Sequence, residues 1–192
     1  DIYSLRDIGR SYSYLKQNNT AIPYYRQAAK KAKAIDDANL YNMVMEELAG
    51  IYIEEGRLDE AYAALNTPFL AMTDKDISSH YYVWAYYFEH TGQLDSAVVY
   101  NKRGMIYSNN TEKRDACQDL IRILNKQGKR DEAMEYYEKY SVYSDSVETS
   151  ELKETSDMLS QVEKSIDVER KNAALASSQL RLAAVMSILV VV

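Results

Sequence analysis

The stretch that decides the fold is ELAGIYIEEGRLDEAYAAL at residues 47–65. It recurs twice without gaps, as VWAYYFEHTGQLDSAVVYN at residues 83–101 and DLIRILNKQGKRDEAMEYY at residues 119–137. Each copy reads as an apolar helix, a turn at glycine, and a second helix that opens with an acidic residue and an alanine. The glycines of the three copies are 36 residues apart: Gly56, Gly92 and Gly128. A fixed period of this length predicts an array of helix-turn-helix repeats.

The turn residues have a local physical role in this pattern. Glycine readily takes the left-handed conformation that ends one helix. The acidic residues that follow are predicted to cap the next helix; they are Asp59, Asp95 and Asp131. A fourth, divergent copy lies upstream, and its turn is predicted at Asn18-Asn19, because asparagine tolerates the same backbone region as glycine.

The pattern resembles the tetratricopeptide repeat. That family has a bulky and then a small residue in the first helix, an aromatic residue one turn later, and an alanine early in the second helix. The matching residues are Ile8, Gly9, Tyr12 and Ala21; Leu48, Ala49, Tyr52 and Ala61; Trp84, Ala85, Phe88 and Ala97; and, in the last copy, Leu120, Leu124 and Ala133. The last copy departs by placing Ile121 where a small residue is expected.

The resemblance implies an all-α fold, a solenoid of about four helix-turn-helix repeats followed by a long C-terminal helix. The array is predicted over residues 1–144. Its repeats are expected at about 2–37, 40–73, 76–109 and 112–144. Arrays of this kind hold a protein or peptide ligand, so the resemblance implies binding and not catalysis.

Composition excludes several other function classes. The formal net charge is -6 and the pI about 5.1, so the chain has no basic field that would hold nucleic acid. The sequence contains neither a phosphate-binding glycine loop nor a metalloprotease helix. His80 and His90 would lie about 15 Å apart along a helix and cannot share one metal ion. We therefore predict no enzyme activity, no cofactor and no metal site.

The family resemblance also implies where the ligand binds. In relatives, the ligand lies on first-helix residues that do not pack between repeats. Carried over position by position, the implied binding residues are Arg6, Arg10, Glu46, Gly50, Tyr82, Tyr86, Glu89, His90, Gln118, Arg122 and Lys126. This mixture suits an extended peptide with acidic character. Gly50 stands where chaperone-binding members carry asparagine, which argues against a co-chaperone.

Composition changes over residues 145–181, where aromatic residues are absent. Apolar residues recur there at heptad spacing and predict a self-association seam: Leu152, Leu159, Val162, Ile166, Ala173 and Leu180. The seam is imperfect at Thr155 and Glu169. A cap on the last repeat and a free linker helix are the alternatives, and we favour a stalk that forms a homodimer.

Residues 182–192 form an uninterrupted apolar run, LAAVMSILVVV. We interpret this run as the start of a truncated transmembrane helix, which predicts a single-pass protein of the inner membrane with a periplasmic array. Basic residues before the run leave a cytosolic array open. The whole architecture resembles the sensor portion of bacterial membrane regulators. Such a sensor would relay binding to a missing cytoplasmic output domain, either a transcription regulator or a histidine kinase. The alternative is a scaffold or adaptor, membrane-anchored or soluble, with no signalling output.

Overall fold

The computed structural model describes residues 1–68 and 73–190, with side chains as far as Ser177 and at Gln179. Within these ranges the chain is helical and has no strand, which confirms the predicted all-α fold. Its helices are α1 (Ile2–Tyr14), α2 (Asn18–Ala34), α3 (Ala38–Glu54), α4 (Leu58–Leu65), α5 (Asp74–His90), α6 (Leu94–Ile106), α7 (Asn110–Lys126) and α8 (Arg130–Val190).

Successive helices pack as hairpins: α1 with α2, α3 with α4, and α5 with α6. The early part of α8 packs on α7 in the same way, through Leu120, Leu124 and Tyr136. The alanine near the start of each second helix is 0–1% exposed: Ala21, Ala61, Ala97 and Ala133. A methyl group at this position allows the two helices of a repeat to approach closely, and the recurring alanine therefore sets the repeat geometry.

The turns between paired helices use a left-handed residue. Gly56, Gly92 and Gly128 have φ angles of 72°, 75° and 74°. In the first repeat the equivalent residue is Lys16, with φ 57°. The prediction that Asn18-Asn19 supplies this turn is therefore wrong. Asn18 is instead a buried residue of α2 whose amide nitrogen lies 2.8 Å from Glu55 Oε1.

Side-chain caps occur at the first helix of each repeat. Asp37 accepts from the backbone of Leu40, while Thr73 and Asn109 form capping boxes at the starts of α5 and α7. The prediction that Asp59, Asp95 and Asp131 cap the second helices is wrong, since these acids lie inside the first turn. They face the positive end of the helix dipole there, which accounts for their recurrence.

The chain divides into two compact units, residues 1–144 and 145–192. The first unit contains the four repeats, with buried clusters centred on α2 and α3, on α3 and α4, and on α6, α7 and early α8. The second unit is helical as far as Val190. Its side chains are all exposed from residue 148 to residue 177.

The predicted inner-membrane localisation is wrong. Over the described residues, no helix combines the length and the apolar character that crossing a bilayer requires. The run at residues 182–192, which led to the prediction, has side chains that lie outside the described residues. The part of α8 that precedes the run carries charged residues throughout, among them Glu163, Lys164 and Arg170.

Candidate binding groove

The first helices of repeats 1 to 3 enclose a cavity of about 660 Å³. Because these helices follow one another in the array, equivalent faces of α1, α3 and α5 line it. The residues that line it include Arg6, Arg10, Glu46, Gly50, Lys75 and Ser79. Met43 and Val83 add apolar surface. We call this cavity the A-helix groove. It brings together four of the residues that the resemblance implied.

Glu47 anchors one wall of the A-helix groove. Both of its carboxylate oxygens accept from Nε of Arg6 at 3.1 Å, and Nε of Arg10 lies 3.9 Å from Oε1. Behind it lies the buried Tyr25, which also bonds to Glu47. Burial, and then the nearby carboxylate, raise the pKa of Tyr25 above the ordinary range. Arg6 is therefore held in place by a half-buried ion pair and fixes α1 against α3.

Glu46 joins the opposite wall. It accepts a 3.1 Å hydrogen bond from Ser79 Oγ, and its other oxygen lies 2.9 Å from Nδ1 of His80. The Glu46 side chain is 11% exposed. Because these bonds join α3 to α5, Glu46 stabilises the floor between repeats 2 and 3 and has little capacity left for a ligand.

Two cations remain exposed in the A-helix groove. The Arg10 side chain is 41% exposed. It donates to Tyr14 Oη at 3.1 Å, and its Nε lies 3.9 Å from Oε1 of Glu47. Lys75, in the first turn of α5, is exposed and has no ion pair among the described residues. These two residues can donate charge-assisted hydrogen bonds to an incoming carboxylate.

A second polar cluster joins α5 to α7. The Glu89 carboxylate is 4% exposed, contacts Arg122 and accepts from Lys126 at 2.7 Å. Arg122 also reaches Asp119, at 2.6 Å. The structure thus brings together three more of the implied residues, in a cluster separate from the A-helix groove. Arg122 and Lys126 remain 44% and 52% exposed beside the buried acid.

The side chains of the other implied residues contact neighbouring residues of the protein. The phenol oxygen of Tyr82 lies 2.6 Å from Ser108 Oγ, and burial raises the pKa of Tyr82 to about 12. The Tyr86 ring packs against the His90 ring at 4.3 Å between centroids, and burial raises the pKa of Tyr86 as well. Gln118 donates to Tyr140 at 3.1 Å. None of these residues lines the A-helix groove.

Sequence reasoning missed Glu47, Lys75 and Ser79. The signal for Glu47 was available in the chain, because Arg6 and Glu47 are opposite charges 41 residues apart, close to one repeat. On stacked repeats, such a spacing places the two side chains on neighbouring first helices. Lys75 and Ser79 lie roughly two turns and one turn before Tyr82, the first residue of α5 that the resemblance implied, so the positions carried over from the family did not include them.

Comparisons with known proteins agree with this fold. Residues 7–33 match the family described as Tetratricopeptide repeat. MamA from Desulfovibrio magneticus RS-1, residues 41 to the end, superposes with a TM-score of 0.60 at 14% identity, over 76% of this chain and 77% of that one. No protein among the curated sequences matches.

Two further solved structures are similar. BtubC (BKLC) from P. vanneervenii gives a TM-score of 0.65 at 13% identity, over 77% of this chain and 64% of that one. A kinesin light chain from Podosopora anserina with nearly identical TPR-like repeats gives 0.55 at 17% identity, over 76% of each chain. At these identities the likeness shows the fold. Together with the family match, it confirms the resemblance to the tetratricopeptide repeat, a fold that typically serves as a non-catalytic scaffold for protein partners.

Proposed function

We propose that this chain is a tetratricopeptide-repeat scaffold that binds an extended segment of a protein partner in the A-helix groove. The observation that carries the proposal is the cavity of about 660 Å³ between α1, α3 and α5, with Arg10 and Lys75 exposed in it. Arg6, Glu46 and Glu47 are bonded to the walls and hold the cavity open in a preformed shape. A preformed site binds without a large ordering cost.

The exposed charges suggest the chemistry of the partner. The acids of the groove already have partners within the protein: Glu47 pairs with Arg6, Glu46 bonds to Ser79, and Asp76 belongs to the capping box of α5. The cations Arg10 and Lys75 keep donors available. A segment with two carboxylates on either side of an apolar residue would satisfy both cations and cover Met43 and Val83.

The scaffold alternative has more support than the regulator interpretation. The family match and the similar structures all concern repeat arrays. They supply no argument for relaying a signal to an output domain. We therefore propose binding as the function of this chain, through residues 1–144, and do not propose signal transduction or transcription regulation.

The test uses an array of synthetic peptides of roughly ten residues, in which two glutamates flank one leucine at varied spacing. Binding of the wild-type chain is compared with that of the double charge reversal Arg10→Glu and Lys75→Glu. We expect the variant to bind the best peptides at least about tenfold more weakly, because each lost charge-assisted hydrogen bond contributes about 1.5–3 kcal/mol.

The matched control reverses two exposed lysines that do not line the groove, Lys31→Glu and Lys153→Glu, and so changes net charge by the same amount. It should bind like the wild type. Equal weakening by both double variants would show a non-specific charge effect and reject the proposed site. Circular dichroism of all three proteins checks that the fold is unchanged.

A further inference from the structure

The second unit carries an apolar face that its own helix leaves uncovered. Leu152, Leu159, Val162 and Ile166 are between 42% and 65% exposed, although they recur at heptad spacing. Counted as a heptad, positions a hold Leu152, Leu159, Ile166 and Ala173, and positions d hold Thr155, Val162, Glu169 and Ala176. Apolar residues at this spacing are typical of the seam of a coiled coil.

The side chains along the seam differ in volume. Its first half holds leucine, valine and isoleucine, whereas its second half holds Ala173 and Ala176 before Leu180. The side chain of Leu180, the last residue of the predicted seam, lies outside the described residues. A parallel pair of copies would place the two alanines opposite themselves and leave a gap there. An antiparallel pair places Leu159 opposite Ala176 and Val162 opposite Ala173. Large side chains then meet small ones in successive layers, which fills the seam more evenly.

The acid in the seam favours the same orientation. In a parallel pair, the Glu169 residues of the two copies would face each other in one layer, which is destabilising. In the antiparallel pair, Glu169 instead lies opposite Ile166 of the second copy. We propose that a second copy of this chain covers the face, antiparallel, with the two copies crossing at the level of residues 167 and 168.

Flanking charges select this register. Glu163 and Arg170 both occupy position e, beside the seam. In the antiparallel register, Glu163 of each copy lies next to Arg170 of the other copy. A shift by one heptad in either direction would place Glu163 against Glu163 or Arg170 against Arg170. In a parallel pair, position e faces position g, where Met158 and Ser165 carry no charge. Only the antiparallel register described here therefore places Glu163 beside Arg170.

The first experiment measures the dimer dissociation constant of the full chain by analytical ultracentrifugation. Arg170→Glu turns two attractive pairs into two repulsive ones, so we expect dimerisation to weaken about tenfold. Adding Glu163→Arg to the same chain should restore the wild-type constant to within about threefold. A parallel dimer would respond little to either change, and this outcome would overturn the orientation.

Lys171→Glu is the matched control. Lys171 occupies position f, which faces away from the seam. Lys171 and Arg170 lie four and three residues after Asp167, so both are neighbours of Asp167 on the helix surface. Both reversals therefore place a like charge near Asp167 in the same helix, but only Arg170 lies beside the seam. The control should dimerise like the wild type. A wild-type chain that stays monomeric at high micromolar concentration overturns the proposal altogether.

The second experiment fixes the orientation with single cysteines, after the buried Cys117 is replaced by alanine. Leu159→Cys and Ala176→Cys chains with different tags are oxidised separately and as a mixture. The antiparallel pair predicts a disulfide between the two variants in the mixture and little within either alone. Efficient oxidation of Leu159→Cys with itself would instead establish a parallel pair and contradict the proposal.

Discussion

A Cβ atom placed on Gly104 would lie 2.7 Å from Cε1 of Tyr82, so the tyrosine ring packs directly on the backbone of α6. The ring is held there at its far end. Its phenol oxygen lies 2.6 Å from Ser108 Oγ, and the Ser108 hydroxyl donates to the carbonyl oxygen of Gly104 at 2.9 Å. Tyr82 therefore fixes α5 against α6 and depends on the absence of a side chain at residue 104.

The first prediction concerns Gly104→Ala. The added methyl group would be closer than 3.0 Å to a ring that the Ser108 bond restrains, so we expect a loss of about 1–3 kcal/mol in the free energy of unfolding. Gly50→Ala is the control, since a Cβ there meets nothing within 4 Å in the interior of α3. It should stabilise the protein by up to about 1 kcal/mol. Urea denaturation measures both, and equal effects would contradict the packing argument.

The second prediction concerns the left-handed turns. Gly56→Ala places a Cβ at φ 72° and should lower the free energy of unfolding by about 1 kcal/mol. Lys16→Gly makes the opposite change at the equivalent residue of repeat 1, where φ is 57°. Relief of the backbone strain should outweigh the loss of the exposed ion pair with Glu54. Thermal unfolding should show opposite shifts in Tm, and shifts of the same sign would reject the shared turn geometry.

The third prediction separates buried from exposed ion pairs. Glu89→Gln removes the charge of an almost fully buried carboxylate that contacts Arg122 and Lys126. We expect a loss of about 1–2 kcal/mol, because both cations are half exposed and recover part of their hydration. Glu60→Gln removes an exposed acid paired with Arg57 and should leave the free energy of unfolding almost unchanged, because solvent screens this pair. Urea denaturation at low salt compares the two, and equal losses would contradict the assigned burial.

The fourth prediction concerns pH. Hydrogen bonds from Lys129 at 3.1 Å and Gln127 at 2.9 Å lower the pKa of Asp95 below its ordinary value of 3.8. The folded state therefore binds this proton less readily than the unfolded chain does. The stabilisation from Asp95 is present above pH 3.8 and is lost as the pH falls through the lowered value.

Carboxyl NMR titration checks this directly. Lys129→Ala should raise the pKa of Asp95 towards 3.8, because it removes the largest cause of the shift. Lys126→Ala, one turn earlier on the chain, contacts Glu89 instead and should leave the Asp95 midpoint unchanged. If Lys129→Ala leaves the titration midpoint of Asp95 unchanged, the hydrogen bond between repeats 3 and 4 does not form in solution.

The sequence was sufficient to predict the repeat because the turn glycines and the packing alanines recur at one spacing. Each is required by a local geometry, a positive φ or a close helix contact, that few residues satisfy. The turn at Lys16 could not be predicted in this way. There the left-handed conformation is imposed by the two helices that flank it and not by the preference of lysine.

The candidate site was harder to predict because helix phase alone does not show which polar side chains are already bonded. Tyr81 and Tyr82 are adjacent and chemically identical, but only Tyr82 packs between α5 and α6, in the space that Gly104 leaves free. Likewise, Arg6 and Arg10 lie one turn apart on α1. Only the position of Glu47, one repeat away, determines that Arg6 is the more buried of the pair.

The side-chain hydrogen bonds that join different helices among the described residues reach across 22 to 41 positions of the chain. Each therefore connects a helix to its own repeat or to the adjacent one. Contacts this local favour fast folding, and they let an end repeat detach while its neighbours stay paired. Evolution can accordingly lengthen or shorten such an array by whole repeats without rebuilding a shared core.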